Sequence, residues 1–293
     1  MDLRFLDLPE LRLKYYVFGS GGSPRVLITA AIHGDEVTGV FAAYKLIEYL
    51  RQKGSGIAGT AIIIPVVNVL GFNARTRFNP VDYVDMNRVF PEGTGSAITK
   101  KIVKFVWELA SSSDYVLDLH CAGLNSYQYI LALHKEFPKV REFANIIPWD
   151  TVVESTGTRG QLFVEATHRG IPAVIIETRG GDGYYDREWG EELYRAALGT
   201  LVNLGIVSDS SVSTYPKTEK TYYGKLVHVK TPMEGFPEFI VEPGAFVMKG
   251  DVLSQVSGET IRSPVSGRVI RVERNTFVFS DSRVASIAPL EEQ

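Results

Sequence analysis

The fold is decided by the stretch VLITAAIHGDE, which occupies residues 26–36. Its first seven residues are almost all apolar, which predicts a buried strand. That strand ends at His33, and from Val37 onward apolar residues recur at the spacing of an amphipathic helix. Open α/β sheets build their sites where strands pass into helices, so His33 and Glu36 are candidate functional residues.

His33 and Glu36 are three positions apart, close enough for both side chains to reach one ion. Imidazole nitrogen and carboxylate oxygen are ligands that zinc takes in proteins. The alternative is a loop histidine beside a glutamate that favours the helix N-terminus through its negative charge. An H-x-x-E pair is weak evidence by itself, so the remaining strands must decide between the two interpretations.

The composition excludes several classes of protein. The net charge of the 293 residues is −3 with no basic block, which argues against nucleic acid as the main partner. No apolar run approaches the roughly 20 residues that span a bilayer, and the N-terminus has no signal-peptide core. The single cysteine, Cys121, excludes an internal disulfide. We therefore expect a cytoplasmic protein without a membrane partner.

Strands and helices alternate through the first two thirds of the chain. Further buried strands are predicted at residues 60–67, 115–120, 127–133 and 172–177, and helices at 37–51, 96–110, 137–146, 161–169 and 186–204. This alternation predicts an α/β fold, a mixed and mostly parallel sheet with helices on both faces. Residues 68–91 are polar and rich in turn signals, which predicts a long functional loop.

The character of the chain changes after residue 207. Residues 208–213 are small and polar, as in a linker, and no helical period follows residue 221. Short β-type runs recur instead at 226–229, 239–241, 252–256, 268–272 and 276–279, separated by turn signals. The sequence therefore predicts a catalytic domain at 1–207 and a small all-β module at 208–293.

Three predicted strands end in side chains that can bind a metal or move a proton. His33 with Glu36, His120 and Glu177 should converge, because parallel strands bring their carboxyl ends to one edge of the sheet. A His-Glu-His set is typical of catalytic zinc sites, which leave one position open. Glu177, outside that set, suits a general base and acid; the alternative is a charged residue that merely ends its strand.

Several spaced motifs then agree in order. They are HGDE at 33–36, Arg77 followed by Asn79-Pro80 and Asp82, DMNRVFP at 85–91, DLH at 118–120 and IE at 176–177. In this order the motifs resemble the succinylglutamate desuccinylase/aspartoacylase family, which is similar to the carboxypeptidase A-like zinc peptidases. The resemblance covers roughly residues 25–205 and extends into the β module. Val69, Met86 and Glu92 depart from the family pattern at positions that affect packing and turns.

The resemblance implies a role for each matching residue. His33, Glu36 and His120 would bind one zinc ion, Arg77 would stabilise the oxyanion, Asn87 and Arg88 would hold the substrate carboxylate, and Glu177 would act as general base and acid. A guanidinium suits a carboxylate because it offers a planar fork of donors. Arg75 competes with Arg77 for the oxyanion role, and Arg88 could instead pair with Asp85.

The C-terminal module resembles the lipoyl and biotinyl barrel-sandwich hybrid, through residues 243–253 and 263–269. Lys249 lies in a poor biotinylation motif, so we expect a structural role instead. The module would restrict the active-site mouth or form contacts between copies in a homo-oligomer. Arg159, Arg179, Tyr184 and Tyr185 flank Glu177 and either line a substrate pocket or belong to ordinary polar loops.

The expected function is that of a zinc-dependent deacylase. It would hydrolyse the amide bond of an N-acyl amino acid or related N-acyl amine by metal-activated water, with Glu177 as base and acid. One alternative is a carboxypeptidase-type metallopeptidase that cuts small peptides; another is a catalytically silent member that binds a carboxylated ligand. A closed active-site mouth favours N-acyl amino acids, whereas an open groove favours peptides.

Overall fold

The computed structural model describes residues 1–8, 12–54, 56–209 and 219–291. Within them, ten strands form one large sheet in the order β1-β2-β4-β3-β5-β8-β6-β7-β10, with β9 paired to β8. The strands are β1 (Asp2–Asp7), β2 (Arg12–Gly19), β3 (Arg25–Ala30), β4 (Thr60–Ile64), β5 (Tyr115–Gly123), β6 (Tyr129–Ala132), β7 (Thr151–Glu154), β8 (Ala173–Gly181), β9 (Tyr184–Tyr185) and β10 (Thr221–Tyr223). The neighbours β4, β3, β5 and β8 run parallel, as predicted.

Helices cover both faces of this sheet. They are α1 (Val37–Lys53), α2 (Val69–Ala74), α3 (Ala97–Ser111), α4 (Pro138–Ile146), α5 (Leu162–His168) and α6 (Arg187–Asn203). Apolar residues of α1, α4 and α6 share one buried cluster, and those of α3 and α5 share another. Successive strand residues alternate between the clusters, as in Leu27 and Ile28, because side chains of a strand point to opposite faces. In the described ranges, no helix combines the length and apolar character that crossing a membrane requires.

Three local features differ from the sequence prediction. The loop at 68–91 contains helix α2, which begins where the Asn68 side chain accepts a hydrogen bond from the Gly71 N–H, and a 3₁₀ turn at Met86–Arg88. Strand β7 was not predicted, because its four buried residues show no alternation. Strand β10 extends β7 in the large sheet, although residues 221–223 follow the predicted domain boundary. The division at residue 207 stays a prediction.

The rest of the C-terminal region forms two small antiparallel sheets. One has the order β11 (Val227–Lys230), β17 (Arg283–Pro289), β16 (Gly267–Val272) and β13 (Phe246–Val247); the other has β12 (Glu238–Phe239), β14 (Val252–Val256) and β15 (Glu259–Arg262). They enclose a separate apolar core. The strand predicted at 276–279 is wrong: Val278 makes an isolated bridge with Gly235. Residues 210–213 of the predicted linker lie outside the described residues.

The C-terminal region packs directly against the segment that follows β5. The Tyr127 N–H donates to the Ile270 carbonyl over 2.7 Å, and the Val272 N–H donates to the Asn125 carbonyl over 3.1 Å. These backbone contacts bring β16 close to the carboxyl end of β5, where the candidate site lies.

Candidate metal centre and active site

The strand register brings the predicted residues together. Ala30 of β3 pairs with Leu119 of β5, and His120 of β5 pairs with Glu177 of β8. His33 follows β3 directly, so all three strands deliver their polar residues to one edge of the sheet. The ligand atoms of His33, Glu36 and His120 lie within 4.8 Å of one another, and all three residues are buried. The predicted convergence is therefore present.

The turn that carries His33 is held against helix α2. The Val67 N–H donates to the Ala30 carbonyl over 3.0 Å, and the Asn68 N–H donates to the Ala31 carbonyl over 2.9 Å. At Gly34 a Cβ atom would lie 2.1 Å from the carbonyl carbon of Gly71. Only glycine permits this close approach of two backbones, which explains the glycine after the histidine.

One carboxylate links the two histidines. Glu36 Oε1 lies 2.7 Å from His33 Nδ1, and Glu36 Oε2 lies 2.8 Å from His120 Nδ1. The two Nδ1 atoms are 3.2 Å apart. Glu36 Oε2 also accepts a hydrogen bond of 2.9 Å from the Cys121 N–H. Two imidazole nitrogens and a carboxylate therefore face one small space.

Each histidine is also contacted by a carboxylate of its own at Nε2, the ring nitrogen that does not face Glu36. His33 Nε2 lies 3.1 Å from Asp85 Oδ1, and His120 Nε2 lies 2.8 Å from Asp118 Oδ2. Asp118 is itself held by a 2.7 Å hydrogen bond from Thr29 Oγ1. Donation of Nε2–H to a carboxylate leaves the Nδ1 lone pair free for a metal, which is the usual outer arrangement of a metal-bound histidine.

Sequence reasoning did not assign these two carboxylates to the histidines. Asp118 entered only within a family motif, and Asp85 only within another motif and as an alternative partner of Arg88. For Asp118 a signal was present. Asp118 and His120 are two positions apart on a strand, so their side chains point to the same face. Asp85 gave no such signal, because it reaches His33 across 52 positions of the chain.

The cluster is organised to hold positive charge. Burial lowers the pKa of His33 and His120, but the carboxylates around each ring more than offset this effect, so both pKa values are raised. Burial raises the pKa of Glu36, but the two histidines outweigh it and hold that pKa below its usual value. Buried imidazoles and a carboxylate with these preferences fit a divalent cation, and the N₂O donor set fits zinc.

Glu177 faces the same space without joining the cluster. Its Oε2 atom is shielded from solvent and has no hydrogen-bond partner among the described residues. Desolvation raises the pKa of Glu177 to about 7, although His120 lowers it. A carboxyl group with a pKa near neutrality can both accept and return a proton.

Arg77 lies at the entrance of the site. Its Nη2 atom is 3.1 Å from Asp85 Oδ2, and its Nη1 atom is 3.5 Å from Glu36 Oε1. Arg75, the competing candidate, is an exposed left-handed residue (φ 53°) at the end of α2 and packs under Gly183. The position of the two side chains favours Arg77 as the arginine beside the reacting group.

Asn87 and Arg88 also reach the site, in different ways. Asn87 is buried, accepts the Leu162 N–H through Oδ1 at 2.9 Å and places Nδ2 3.5 Å from His120 Nε2. Arg88 donates from Nη1 to the Asn87 carbonyl over 2.7 Å, and among the described residues it has no carboxylate within ion-pair distance. Asp85 pairs with Arg77 instead, so the alternative pairing of Arg88 is absent from the described residues.

A cavity of about 190 Å³, called the inner cavity below, encloses these groups. Its lining includes every predicted site residue: His33, Glu36, Arg77, Asn87, Arg88, His120 and Glu177. The sequence did not predict the remaining polar and apolar lining, chiefly Tyr129, Gln161, Leu226, Ile270, Arg271 and Arg283. Four of these six residues belong to the C-terminal region. A wider cavity of about 670 Å³ adjoins the first at Glu36, Arg77, Cys121 and Arg271.

The sequence left the role of four residues undecided, and all four lie outside the lining of the inner cavity: Arg159, Arg179, Tyr184 and Tyr185. Arg159 forms a two-fold contact with Glu165, at 2.7 and 2.6 Å. Arg179 Nη1 lies 3.8 Å from Asp186 Oδ2. Tyr185 stacks on Phe41, with ring centroids 5.3 Å apart, and Tyr184 is exposed. Their contacts support a structural role outside the substrate pocket, but three of the four are not loop residues: Arg179 lies on β8, and Tyr184 and Tyr185 form β9.

Comparisons with known proteins show relatives of this chain along most of its length. Residues 22–203 match the model of the family described as "Succinylglutamate desuccinylase/Aspartoacylase catalytic domain". A curated relative is the N-alpha-acetyl-L-2,4-diaminobutyric acid deacetylase of Halomonas elongata, 28% identical over 277 residues that cover 91% of this chain and 80% of that protein.

Two solved structures show the same fold. The succinylglutamate desuccinylase/aspartoacylase from Rhodobacter sphaeroides superposes with a TM-score of 0.82 at 21% identity, covering 97% of this chain and 90% of that one. The product-bound ectoine utilization protein EutE (DoeB) from Ruegeria pomeroyi has a TM-score of 0.79 at 23% identity, covering 98% and 93%. The mixed α/β architecture and the small β-sheets at the C-terminus are thus shared along almost the whole chain.

Proposed function

The chain belongs to the succinylglutamate desuccinylase/aspartoacylase family, and we propose that it is a zinc-dependent deacylase of N-acyl amino acids or related N-acyl amines. The observation that carries this proposal is the convergence of His33, Glu36 and His120 with Glu177 in one cavity of about 190 Å³. The deacetylase activity named for the Halomonas elongata relative supports the same class of reaction.

His33, Glu36 and His120 would hold the zinc ion through two imidazole nitrogens and a carboxylate. When bound there, zinc supplies Lewis acidity, lowering the pKa of a water molecule to about 7 and polarising a carbonyl oxygen. Asp85 and Asp118 keep the two imidazoles in the tautomer that presents Nδ1 to the ion.

Glu177 would transfer the proton. Its carboxylate accepts a proton from the attacking water, whose oxygen bonds to the acyl carbon. As the C–N bond breaks, Glu177 returns this proton to the departing nitrogen, so the products are a carboxylic acid and an amine. The Arg77 guanidinium, at the entrance of the cavity, would donate to the negative charge that develops on the carbonyl oxygen.

Arg88 and Asn87 would hold the α-carboxylate of the substrate. Arg88 suits this role because its guanidinium lines the cavity without a carboxylate partner among the described residues. Asn87 uses its Oδ1 atom for the Leu162 N–H, which leaves only its amide N–H groups for a ligand. A planar fork beside a fixed amide donor is a geometry that orients a carboxylate.

The volume of the inner cavity, about 190 Å³, favours a small group beside the metal cluster, although a wider cavity of about 670 Å³ adjoins it. Leu226 and Ile270 of the C-terminal region line this cavity together with the residues of the catalytic strands. We infer that residues 208–293 act as a barrel-sandwich-like module that restricts the active site of a catalytic domain at 1–207. Glu177 beside the metal cluster speaks against a silent binding protein, because its pKa is raised to about 7, as suits a proton carrier, and binding of a carboxylated ligand needs no proton carrier.

The test combines metal content with turnover. Purified protein is analysed for zinc and assayed on N-acyl amino acids and short peptides, before and after chelation. One zinc per chain with chelator-sensitive release of one acyl class is the expected result. Zinc without turnover of any compound would favour the binding-only alternative, and turnover of peptides alone would favour the metallopeptidase. Failure to load zinc under any condition would refute the assignment of the metal site.

A further inference from the structure

One tyrosine of the inner cavity has no part in the reaction described above, although it lies next to the proton carrier. Tyr129 of β6 lines the cavity and pairs directly with Glu177 of β8 in an antiparallel register. On the other side of Glu177, the parallel register of β5 and β8 places His120. Tyr129, Glu177 and His120 therefore form one row across three neighbouring strands, with the proton carrier in the middle.

This row directs the Tyr129 side chain toward the space where the substrate would react. Directly paired residues of antiparallel strands project to the same face of the sheet, with Cβ atoms about 4.5–5.5 Å apart. A tyrosine side chain is longer than a glutamate side chain, so its hydroxyl extends farther from the strand than a neighbouring carboxylate. The register therefore points the Tyr129 hydroxyl into the part of the cavity that Glu177 faces.

The Tyr129 hydroxyl has no partner within the described part of the protein. Tyr129 is 5% exposed, and no described residue makes a hydrogen bond to its hydroxyl. In contrast to Glu177 Oε2, the hydroxyl oxygen is not fully enclosed, so it is open to the cavity that Tyr129 lines. Because buried polar groups are nearly always hydrogen-bonded, a phenol placed in this way indicates a partner that enters the cavity.

A second tyrosine of the same apolar cluster has the more usual arrangement. Tyr223 is 1% exposed and packs in one cluster with Tyr129 and Ile270. Its Oη atom accepts a 2.8 Å hydrogen bond from Arg268 Nε, and Tyr223 lies outside the lining of the inner cavity. The two rings share their packing, but only Tyr129 leaves its hydroxyl for a ligand. Packing alone would be served equally well by phenylalanine at position 129.

The surroundings keep the Tyr129 hydroxyl protonated. Burial raises the pKa of the phenol well above its usual value, and the charge of Glu177 raises it further. Arg271 and Arg283 lower the pKa but do not outweigh these two effects. At neutral pH the hydroxyl is therefore an uncharged donor, able to form a hydrogen bond to an oxygen that gains negative charge.

We propose that Tyr129 is a further catalytic residue, whose hydroxyl donates a hydrogen bond to the oxygen that the attacking water brings to the acyl carbon. The inference rests on the proposed deacylase function and adds one donor to it. This oxygen lies beside Glu177, which takes its proton, and it becomes a stronger acceptor as that proton leaves. Tyr129 keeps its own proton throughout: the C–O bond forms, the C–N bond breaks, and Glu177 alone carries a proton to the departing nitrogen.

Removal of the hydroxyl alone tests this role. Tyr129→Phe keeps the ring and its packing, so the fold and the zinc content should be unchanged. Because the hydrogen bond strengthens only as the water oxygen loses its proton, kcat and kcat/KM should fall together by about tenfold to a hundredfold, with little change in KM. Tyr223→Phe is the matched control, because it removes a hydroxyl from the same cluster outside the cavity. It should cost some stability through the lost Arg268 contact and leave kcat unchanged.

An unchanged kcat in Tyr129→Phe would overturn the proposal while leaving the deacylase function intact. A rise in KM at constant kcat, or a fall in kcat matched by an equal loss of zinc, would overturn it as well, since the hydroxyl would then act in substrate binding or in structure. If no compound is hydrolysed, calorimetric titration with methylphosphonate decides the matter, because its charged tetrahedral oxygens mimic the result of water addition. Weaker binding by Tyr129→Phe but not by Tyr223→Phe would support the donor even if the proposed reaction fails; equal binding by all three proteins would refute it.

Discussion

The two walls of the inner cavity are built on different principles. On the catalytic wall, His33, Glu36 and His120 are 4%, 4% and 2% exposed, and carboxylates hold both imidazoles from behind. On the opposite wall, Arg271 and Arg283 are partly exposed and share one carboxylate. The first wall fixes its atoms through buried carboxylates, which suits chemistry, whereas the second is partly exposed and carries a net positive charge, because one carboxylate faces two guanidinium groups.

The largest loss of zinc binding and activity is expected when one of the three metal ligands is removed. In His120→Ala, the remaining imidazole and carboxylate cannot complete the three-ligand set of a catalytic zinc site. We expect the variant to lose stoichiometric zinc and all deacylase activity, with little effect on the opposite wall. Metal analysis of the purified variant after dialysis, together with turnover of the best substrate, measures both losses.

The matched control is His168→Ala, because His168 is exposed at the end of α5 and contacts Phe137 away from the cavity. It should retain one zinc per chain and full turnover. Full zinc occupancy in His120→Ala would show that the ion is held elsewhere and that the His-Glu-His assignment is wrong.

Replacing the proton carrier should separate metal binding from chemistry within the catalytic wall. Glu177→Gln preserves the shape of the side chain but removes its ability to accept a proton. We expect zinc to stay bound and kcat to fall by about 10²- to 10⁴-fold. Stopped-flow or steady-state assays measure the loss, with Glu188→Gln on the exposed first turn of α6 as control. An unchanged kcat would remove Glu177 from the mechanism.

The same contrast explains what could be predicted from the sequence. His33, His120 and Glu177 each follow or end an apolar run, so strand ends in a parallel sheet predict their convergence without knowledge of tertiary structure. Nothing local marks Arg271 or Arg283. They reach the cavity because β16 pairs with the segment after β5, a contact between residues more than a hundred positions apart.

Two shorter elements escaped prediction for a related reason. Helix α2 has six residues and depends on the Asn68 cap and on the close approach of Gly34, neither of which gives a periodic apolar pattern. Strand β7 joins the sheet through β6, and strand β10 joins it through β7, so neither short strand is recognisable by itself. Tertiary pairing overrides weak local preference at such positions.

An intermediate loss of zinc affinity is expected when the carboxylate that contacts a metal-binding histidine is replaced. Asp118→Asn keeps the size of the side chain but can present an amide N–H instead of an acceptor to His120 Nε2. We expect zinc affinity to fall by about 10- to 100-fold, as is usual when an outer carboxylate is replaced. Competition with a chromophoric chelator measures this change.

Asp114→Asn is the matched control for Asp118→Asn. Asp114 precedes the same strand and accepts a 2.7 Å hydrogen bond from the Arg25 N–H at the far end of the sheet. It should leave zinc affinity unchanged, although it costs some stability. Equal zinc affinity in Asp118→Asn and the unmutated chain would mean that the catalytic wall does not depend on its outer carboxylate.

The smallest effect is expected where the C-terminal region is held against the sheet. The Arg268 guanidinium lies over the rings of Tyr127 and Tyr223, donates to Tyr223 Oη over 2.8 Å and donates to the Gly244 carbonyl over 3.0 Å. In Arg268→Met these contacts are lost while most of the apolar stem remains. We expect the free energy of unfolding to fall by about 1–2 kcal/mol, measured by chemical denaturation.

Arg268→Met should also affect the two walls of the inner cavity differently. Because the catalytic wall is held by the sheet and its own carboxylates, zinc content and kcat should stay unchanged. Because the C-terminal residues that line the cavity depend on the docked module, the KM for the best substrate should rise severalfold. Lys230→Met, which removes an exposed ion pair with Asp281 on the same module, should change neither quantity. A fall in zinc content with Arg268→Met would mean that the two walls are one cooperative unit, and that recognition and chemistry cannot be altered separately in this fold.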